Sequence, residues 1–448
     1  MKLLALTAGA GPMYCGSCLR DNALAAELIR RGHDVILMPL YTPTRTDEPN
    51  VSRERVFLGG ISVYLEQKLP IFRYTPKLLD RLWDAPAVIR AMANRPVQTN
   101  PRMLGELTVS MLRGEHGSQR KEVEKLCDWL AREEPPDLTI IPNSLLISLA
   151  APIKRATGRP VGVTLQGEDL FIAGLGEPHR SDTIDLIRKQ AQHADAFFAV
   201  SEQYARFMTA YLALPAAKTH VLPLGVNADD FGPAQYREKK PGQTRRVGFF
   251  GRIAPEKGLS VLADAYRILR QRPGLDDLTL EAAGYLAPEH HEYLREIEDK
   301  MRSWGLASEF HYRGTLERGA KAEFLRTLDV FSLPATYDEP KGLSVLEAMA
   351  CGVPVVQPRR GAFIEMIQRT GGGLLVQPDD ARALADGLAS IFADTAKGAS
   401  LGSAGAAGVR RHYTVARMAD RALEVYAAVA GQTKPGRETS PARGARTA

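Results

Sequence analysis

Glu339 and Glu347 stand eight positions apart in a stretch that combines carboxylates with glycine and a short apolar helix pattern. The pattern predicts a loop over 337–341 and a helix over 343–351. Glu339 is therefore expected in the loop, and Glu347 just inside the helix. Because helical side chains lean toward the N-terminus, the carboxylate of Glu347 is expected to point back toward the start of its helix.

The start of this predicted helix has the features of an anion-binding site. Gly342 lets the backbone approach a ligand closely, and the unpaired amides of the first helical turn can donate hydrogen bonds to a diphosphate. Glu347 would lie beside that anion. An isolated glutamate usually belongs to an ordinary surface loop, but the whole string 338–356 fits a nucleotide-sugar better.

Two cations are expected to act on the same phosphates. Arg252 and Lys257 lie in the string 248–258, GFFGRIAPEKG, which follows a predicted strand and opens a helix. A guanidinium binds phosphate oxygens in fork geometry and an ammonium adds a compact charge, so the pair can offset the negative charge on a departing diphosphate. The sequence contains no Asp-x-Asp triplet, which predicts that cationic side chains replace a diphosphate-bridging metal.

Strands and helices alternate through most of the chain, as in parallel sheets covered by helices. The predicted strands of a first series are Leu3–Leu6, Asp34–Met38, Asp137–Ile141, Val161–Leu165, Ala196–Val200 and His220–Leu222. Those of a second series are Arg246–Phe250, Leu278–Ala283, Phe310–Tyr312, Val330–Leu333, Val353–Val356 and Gly373–Val376. The sequence thus predicts an α/β protein with two doubly wound, Rossmann-like domains facing a cleft, where the carboxyl ends of the strands bind ligands.

A polar stretch at 231–245 separates the two series and predicts the domain boundary. The N-terminal, acceptor-side domain is expected at 1–240, with a long insertion at about 43–135. The C-terminal, nucleotide-sugar-binding domain is expected at 241–411. A helix over 412–430 is expected to cross back to the first domain.

Composition places the chain among ordinary globular proteins, with 448 residues, 44% hydrophobic and 25% charged. Without a run of about eighteen apolar residues no membrane-spanning helix is expected, and four cysteines do not suggest a disulfide scaffold. Both features predict a cytoplasmic protein. The net charge of +6 comes partly from 431–448, where the near absence of apolar residues predicts a disordered basic tail. No nucleic-acid partner is expected.

A basic and amphipathic stretch at 72–102 has two interpretations. Its cations are Arg73, Lys77, Arg81, Arg90, Arg95 and Arg102, interleaved with aromatic and aliphatic side chains. The usual helix pattern favours a helix packed on the first domain. The alternative is peripheral contact with the anionic inner face of a membrane, in which case the acceptor would be lipid-linked.

Three motifs resemble one known family. The strings at 250–258 and 342–356 and the Glu339-x7-Glu347 spacing are similar to those of the retaining GT-B glycosyltransferases of family 4, also called glycosyl transferases group 1. The resemblance is strong over most of 240–430 and weaker before it. It implies a GT-B fold and transfer of a sugar from a nucleotide-sugar to an acceptor, with retention of the anomeric configuration and with neither metal nor cofactor.

The resemblance also implies roles for individual residues. Arg252 and Lys257 would hold the diphosphate. Glu339 would contact the donor sugar, and Glu347 would bind the ribose hydroxyls. The donor-binding residues expected from the matching motifs are Gly16, Gly251, Arg252, Lys257, Glu339, Lys341, Gly342, Leu343 and Glu347, and the expected catalytic residues are Glu339, Arg252, Lys257 and Gln166.

One position departs from the family's pattern. A histidine often follows the strand that is here 161–165, whereas this chain has Gln166 and Gly167. Glutamine can hydrogen-bond a sugar hydroxyl but does not titrate near neutral pH, which excludes a proton-handling role. Three alternatives stay open: Gln166 only orients the sugar, Glu168 or Asp169 supplies a charge, or the segment is a turn without a catalytic part.

Cys15 and Cys18 form a Cys-x-x-Cys motif at the start of a predicted helix. The helix dipole lowers the pKa of a thiol at this place, which would make the pair redox-active. The sequence favours the alternative, two small residues packed beneath a ligand loop. A zinc site needs two further ligands, and Cys127 and Cys351 have no such pairing.

The predicted function is therefore a metal-independent, retaining glycosyltransferase that uses a UDP-, GDP- or ADP-sugar and a glycan, lipid-linked or small-molecule acceptor. Two alternatives remain. A GT-B nucleotide-sugar epimerase would change the sugar without an acceptor, and a noncatalytic nucleotide-sugar-binding protein, which Gln166 makes conceivable, would release no nucleotide diphosphate.

Overall fold

The computed structural model describes residues 1–9, 14–53, 56, 101–232 and 243–432. Two interpretations from the sequence fall largely outside these ranges. The basic stretch at 72–102 is described only from the backbone of Pro101 onward, and the basic tail only as far as Gln432.

The first sheet has six parallel strands within the described residues. They are β1 (Lys2–Thr7), β2 (Asp34–Pro39), β3 (Leu138–Ile141), β4 (Val161–Leu165), β5 (Ala196–Ala199) and β6 (Thr219–Val221), in the order β2-β1-β3-β4-β5-β6. The helices of this domain are α1 (Gly16–Arg30), α2 (Pro101–Leu112), α3 (Arg120–Leu130), α4 (Ala150–Thr157), α5 (Asp169–Gly174), α6 (His179–Gln190) and α7 (Glu202–Tyr211). Every residue of β3, β4 and β5 is buried, as in a parallel sheet covered on both faces.

The second sheet repeats this plan with six parallel strands of the described chain. They are β7 (Arg245–Phe250), β8 (Leu278–Ala283), β9 (Phe310–Tyr312), β10 (Val330–Phe331), β11 (Val355–Pro358) and β12 (Gly373–Val376), in the order β12-β11-β10-β7-β8-β9. Its helices are α8 (Leu259–Arg270), α9 (His291–Ser303), α10 (Arg318–Arg326), α11 (Leu343–Ala350), α12 (Phe363–Thr370), α13 (Ala381–Phe392) and α14 (Thr395–His412).

The direction of strand addition reverses once in each sheet, between β1 and β3 and between β7 and β10. At such a point the loops that leave the carboxyl ends of the strands diverge and open a crevice. The segment 251–258 follows β7, and 332–342 follows β10. Segments that are about eighty residues apart in the chain therefore meet at one place, because β7 and β10 are neighbours.

The last described helix, α15 (Val415–Gln432), packs against the first domain. Met418 and Tyr426 share a buried cluster with Leu24 of α1 and Phe198 of β5. The rings of Phe198 and Tyr426 meet edge to face with their centroids 5.1 Å apart. The chain thus returns to the first domain after completing the second.

The predicted α/β fold with two doubly wound domains facing a cleft is confirmed, and each predicted strand is present with small changes at its ends. β11 begins at Val355, not at the predicted Val353, because Pro354 has no N–H to donate to the sheet. Helix α1 begins at Gly16, because Cys15 has the extended backbone of a helix N-cap.

Candidate functional site

Both domains line a cleft of about 1380 Å³. The predicted site residues all lie on it, namely Gly16, Gln166, Gly251, Arg252, Lys257, Glu339, Lys341, Gly342, Leu343 and Glu347. Those of the second domain follow β7 and β10, whereas Gly16 and Gln166 follow β1 and β4. The fold therefore brings the predicted residues together, while their individual roles stay predictions.

An ion pair between Lys257 and Glu339 lies on the second-domain side of the cleft. The Tyr337 hydroxyl donates to Glu339 Oε2 at 2.6 Å and lies 2.7 Å from Lys257 Nζ, which donates to it. Burial by itself would raise the pKa of Glu339, which is only 3% exposed. The charge and hydrogen bond of Lys257, together with the bond from Tyr337, outweigh burial and lower the pKa of Glu339 to about 2.

This depressed pKa predicts how stability depends on acidity. Glu339 stabilises the folded chain fully above its ordinary pKa of 4.5, and this stabilisation is lost as the pH falls from 4.5 toward 2. The shift corresponds to about 3 kcal/mol. Urea unfolding measured across this window is expected to show a shallower pH dependence for Glu339→Gln than for the wild type. Glu134→Gln, at an exposed carboxylate, serves as the control, and parallel curves for wild type and Glu339→Gln would contradict the prediction.

A tight turn places Lys257 at the cleft. Gly258 has a φ of +79°, and a Cβ at this position would lie 1.9 Å from the carbonyl oxygen of Pro334. Only glycine fits there, so the turn packs directly against the segment after β10. Arg252, just beyond β7, donates from Nη2 to Glu256 Oε1 at 2.6 Å and keeps a partly exposed guanidinium at the cleft.

The carboxylate of Glu339 also shapes its own loop. Its Oε1 accepts hydrogen bonds from the backbone amides of Lys341 at 3.2 Å and Gly342 at 3.4 Å. Gly342 is the N-cap of α11 and has a φ of +68°, which favours glycine. Leu343 and Ser344, in the first turn of α11, line the cleft. The loop therefore presents the helix N-terminus to the cleft, as the sequence predicts.

Lys341 crosses the cleft and joins the two domains. Its Nζ donates to Ser17 Oγ at 2.9 Å and to the backbone carbonyl of Gln166. A Cβ built on Gly16 would lie 3.6 Å from both Lys341 Cε and Leu343 Cδ1. Gly16 thus faces the second domain directly, at the place where the sequence expects a donor-binding glycine.

Gln166 is 4% exposed and has one unsatisfied acceptor. Its Nε2 donates to the Pro142 carbonyl oxygen at 2.8 Å, and its backbone amide donates to Glu168 Oε2 at 2.8 Å. The side-chain oxygen, in contrast, has no hydrogen-bond partner in the described structure. A buried polar atom without a partner is costly, so this oxygen is suited to accept a hydrogen bond from a ligand hydroxyl.

The neighbouring carboxylates are already engaged within the first domain. Glu168 Oε1 accepts from the amide of Ser144 at 3.0 Å and from its hydroxyl at 2.8 Å. The Tyr204 hydroxyl donates to Asp169 Oδ1 at 2.6 Å, and burial raises the pKa of Asp169. The geometry therefore favours Gln166 over Glu168 and Asp169 as the group of this segment that meets a ligand.

Glu347 belongs to a buried cluster that the sequence does not predict. Lys321 Nζ of α10 donates to Glu347 Oε1 and to Asp47 Oδ2, both at 2.6 Å. Asp47 comes from the first domain, so the cluster spans the two domains. Burial raises the pKa of Glu347 against the opposing charge of Lys321. Arg318 extends the cluster with an ion pair to Glu48 at 2.8 Å.

Asp47, Lys321 and Tyr337 also line the cleft, although none of them was predicted as a site residue. No motif marks Asp47 or Lys321, which are 274 positions apart and belong to different domains. Tyr337 does lie in the predicted loop, two residues before Glu339. A hydroxyl next to a candidate carboxylate is the signal that could have identified it.

Two features are absent from the described ranges. Within 1–53, 101–232 and 243–432, as far as they are described, no group of three or more His, Cys, Asp or Glu side chains could hold a metal ion. In the same part of the chain, no helix has both the length and the apolar character needed to cross a membrane.

Comparison with curated proteins shows partial alignments. A phosphatidyl-myo-inositol mannosyltransferase of Mycobacterium leprae is 32% identical over 239 residues, 52% of this chain and 59% of the relative. A D-inositol 3-phosphate glycosyltransferase of Xylanimonas cellulosilytica is 29% identical over 245 residues, 52% of this chain and 57% of the relative. The alignments thus span less than two thirds of these relatives.

Solved structures match over nearly the whole chain. HepE of Anabaena in complex with UDP matches with a TM-score of 0.65 at 19% identity. The match covers 96% of this chain and 100% of the HepE chain. A sucrose-phosphate synthase of Thermosynechococcus elongatus has a TM-score of 0.70 at 20% identity, with the same coverage. At this identity the likeness establishes the fold, which is GT-B.

Two family models match the two domains separately. Residues 22–225 match a glycosyl transferase 4-like domain, and residues 234–407 match glycosyl transferases group 1. Each match covers most of one parallel sheet and its helices; β1, the start of α1 and the end of α14 lie outside the matched residues. The predicted family is thereby confirmed: with both halves matched and a GT-B fold, this chain belongs to the group 1 glycosyl transferases.

Proposed function

We propose that the protein transfers a sugar from a nucleotide-sugar to an acceptor hydroxyl, with retention of the anomeric configuration and without a metal. One observation carries the proposal. Arg252, Lys257 and the N-terminus of α11 converge on the second-domain side of the cleft, opposite the unsatisfied oxygen of Gln166. This arrangement offers cations and amides to a diphosphate and an acceptor atom to a sugar hydroxyl.

The second domain handles the departing diphosphate. Arg252 and Lys257 bind its oxygens and offset the charge that develops as the glycosidic bond breaks. The amides at the start of α11 add hydrogen bonds to the same group. Glu339 holds Lys257 and the α11 loop in place and contacts the donor sugar when its partners rearrange around the ligand. Glu347, held by Lys321, meets the ribose hydroxyls.

Retention is proposed together with the absence of a carboxylate nucleophile beside Gln166. Glu168 and Asp169, the carboxylates beside Gln166, are occupied by Ser144 and Tyr204. In the proposed reaction the acceptor hydroxyl attacks the anomeric carbon from the face that the diphosphate leaves. A phosphate oxygen takes the hydroxyl proton, so the products are the glycosylated acceptor and the protonated nucleotide diphosphate.

The donor and acceptor are proposed by chemical class. The donor is a UDP-, GDP- or ADP-sugar, and the acceptor is a glycan, a lipid-linked molecule or a small polyol. The names of the relatives, which refer to phosphatidyl-myo-inositol and D-inositol 3-phosphate, favour an inositol-type acceptor as the first to test. We further propose a cytoplasmic protein with peripheral membrane contact, for which sedimentation with anionic vesicles at low salt is the test.

A donor screen followed by a turnover assay tests this function. Thermal shifts with a panel of nucleotide-sugars identify the donor, and release of nucleotide diphosphate is then measured with and without acceptors. Acceptor-dependent release, unchanged by EDTA, with a product whose anomeric configuration matches the donor, is expected. Sugar isomerisation without acceptor would instead show an epimerase, and binding without any release would show a noncatalytic protein.

Gln166 gives a sharper prediction for the same assay. Gln166→Ala is expected to lower kcat/KM by about tenfold to a hundredfold, because one hydrogen bond to a sugar hydroxyl contributes about 1–3 kcal/mol. Gln190→Ala is the matched control, since Gln190 of α6 donates to the Leu112 carbonyl of α2 and does not line the cleft. Equal kcat/KM for Gln166→Ala and the wild type would remove Gln166 from the site.

A further inference from the structure

The two thiols of the Cys-x-x-Cys motif lie together in the first turn of α1. Cys15 is the N-cap, with extended backbone angles, and Cys18 is the third helical residue. A side-chain hydrogen bond joins the two sulfurs. This hydrogen bond places the two sulfurs next to each other, as attack of one sulfur on the other requires.

The two sulfurs have different access. Cys15 is partly exposed and lines the cleft. Cys18 is 1% exposed and lies beneath it, with the hydroxyl of Thr7 donating to its sulfur at 3.8 Å. An oxidant that enters the cleft therefore meets Cys15 first, and Cys18 stands behind it as the second thiol.

The surroundings of the pair shift the pKa values of the two thiols in opposite directions. The hydrogen bond from Cys18 lowers the pKa of Cys15, burial opposes this, and the ammonium of Lys341 lowers the pKa further. The same hydrogen bond, together with burial, raises the pKa of Cys18. Lys341 is held nearby through its 2.9 Å bond to Ser17 Oγ, while Asp21 is the acidic group that faces the pair.

The other cysteines provide an internal comparison. Cys127 is partly exposed like Cys15, but burial raises its pKa to about 11. Cys351 is buried, and burial raises its pKa to about 12. Neither lines the cleft. Within the described residues the Cys15–Cys18 pair also belongs to no group of three or more His, Cys, Asp or Glu side chains that could hold a metal ion.

We propose that Cys15 and Cys18 form a redox-active dithiol at the edge of the cleft, oxidised by hydroperoxides. The Cys15 thiolate attacks the peroxide oxygen, the O–O bond breaks, and Cys15 becomes a sulfenic acid while the peroxide leaves as water or an alcohol. The Cys18 thiol then attacks the sulfenic sulfur and releases water. A thiol reductant converts the disulfide back to two thiols by thiol–disulfide exchange and is itself oxidised to a disulfide.

Oxidation removes the thiol that lies near Lys341. The ammonium of this lysine lowers the pKa of Cys15, and it also donates to Ser17 and to the Gln166 carbonyl across the cleft. The disulfide is uncharged and draws Cys15 toward Cys18. The redox state of the motif is therefore coupled to the contact that joins the two domains, whichever donor the cleft binds.

Peptide mapping of the full-length chain tests the proposal. After treatment with hydrogen peroxide, the wild type is expected to yield a peptide with a Cys15–Cys18 disulfide, lighter by two hydrogen atoms and restored by dithiothreitol. Cys18→Ser is expected to accumulate a sulfenic acid at Cys15 that dimedone traps. Cys127→Ser and Cys351→Ser are matched controls, and both are expected to form the disulfide as the wild type does.

A second measurement needs no variant. In the native wild type at neutral pH, iodoacetamide is expected to alkylate Cys15 at least about tenfold faster than Cys127, which is also partly exposed and whose pKa burial raises. Equal rates for the two cysteines would overturn the proposal. So would oxidation of Cys127 or Cys351 at peroxide concentrations that leave Cys15 and Cys18 reduced.

Discussion

Lys257→Ala is expected to lower kcat for sugar transfer by about 10²–10³-fold. Lys257 forms the ion pair with Glu339, and in the proposed reaction it offsets the charge on the departing diphosphate. Loss of a single group that stabilises such a charge typically lowers kcat by about 10²–10³-fold. The substitution also leaves Glu339 buried without its ion partner. The measurement is steady-state release of nucleotide diphosphate under donor saturation.

Two further variants separate loss of catalysis from loss of folding. Lys257→Met combined with Glu339→Gln removes both charges, so its melting temperature is expected to exceed that of Lys257→Met alone while transfer stays lost. Lys300→Ala removes a lysine from a half-exposed surface pair of the same domain and should leave kcat within about twofold. Full activity of Lys257→Ala would rule out its role at the diphosphate.

Lys321→Met is expected to lower the free energy of unfolding by about 3–5 kcal/mol. Lys321 is 3% exposed and is the cation between Asp47 and Glu347. Removing one partner of a buried ion cluster leaves the remaining charges desolvated and mutually repulsive. Because the cluster joins the two domains, the variant is expected to begin unfolding at a lower urea concentration than the wild type. Urea unfolding monitored by far-ultraviolet circular dichroism measures the midpoint of this first transition.

A compensated variant makes this prediction specific. Adding Asp47→Asn and Glu347→Gln to Lys321→Met removes the orphaned charges and is expected to recover most of the lost stability. Arg272→Met, which breaks an exposed pair with Asp386, should cost less than about 1 kcal/mol. If Lys321→Met is no more harmful than Arg272→Met, the cluster does not stabilise the contact between domains.

The parts of the site that local patterns encode were predictable. Gly342 and Gly258 stand where the chain needs positive φ, and the apolar runs before them predict the strands that carry the loops. Arg252, Lys257 and Glu339 follow strands that become neighbours once the direction of strand addition reverses. Parallel strands place their carboxyl ends at one edge of a sheet, so these residues had to meet there.

Other features depend on which side chains become buried together. Asp47 and Lys321 come from different domains, and no local pattern shows that they share Glu347. The hydrogen bond from Ser144 to Glu168 and the missing partner of the Gln166 side-chain oxygen are equally invisible in sequence. Such contacts form between side chains that are far apart in the sequence, and only the packing of the folded chain decides which of them meet.

By itself the sequence determined the two αβ series, the family motifs and the carboxylate-cation set, because strand periodicity, glycine conformation and motif spacing are properties of short segments. Only the tertiary structure decided the burial, hydrogen bonds and neighbouring charges of these groups. It keeps Glu339 ionised, gives Gln166 a free acceptor oxygen and sets Cys15 beside Lys341. The reason is physical: desolvation and charge pairing act between side chains that the fold brings together, whatever their distance along the chain.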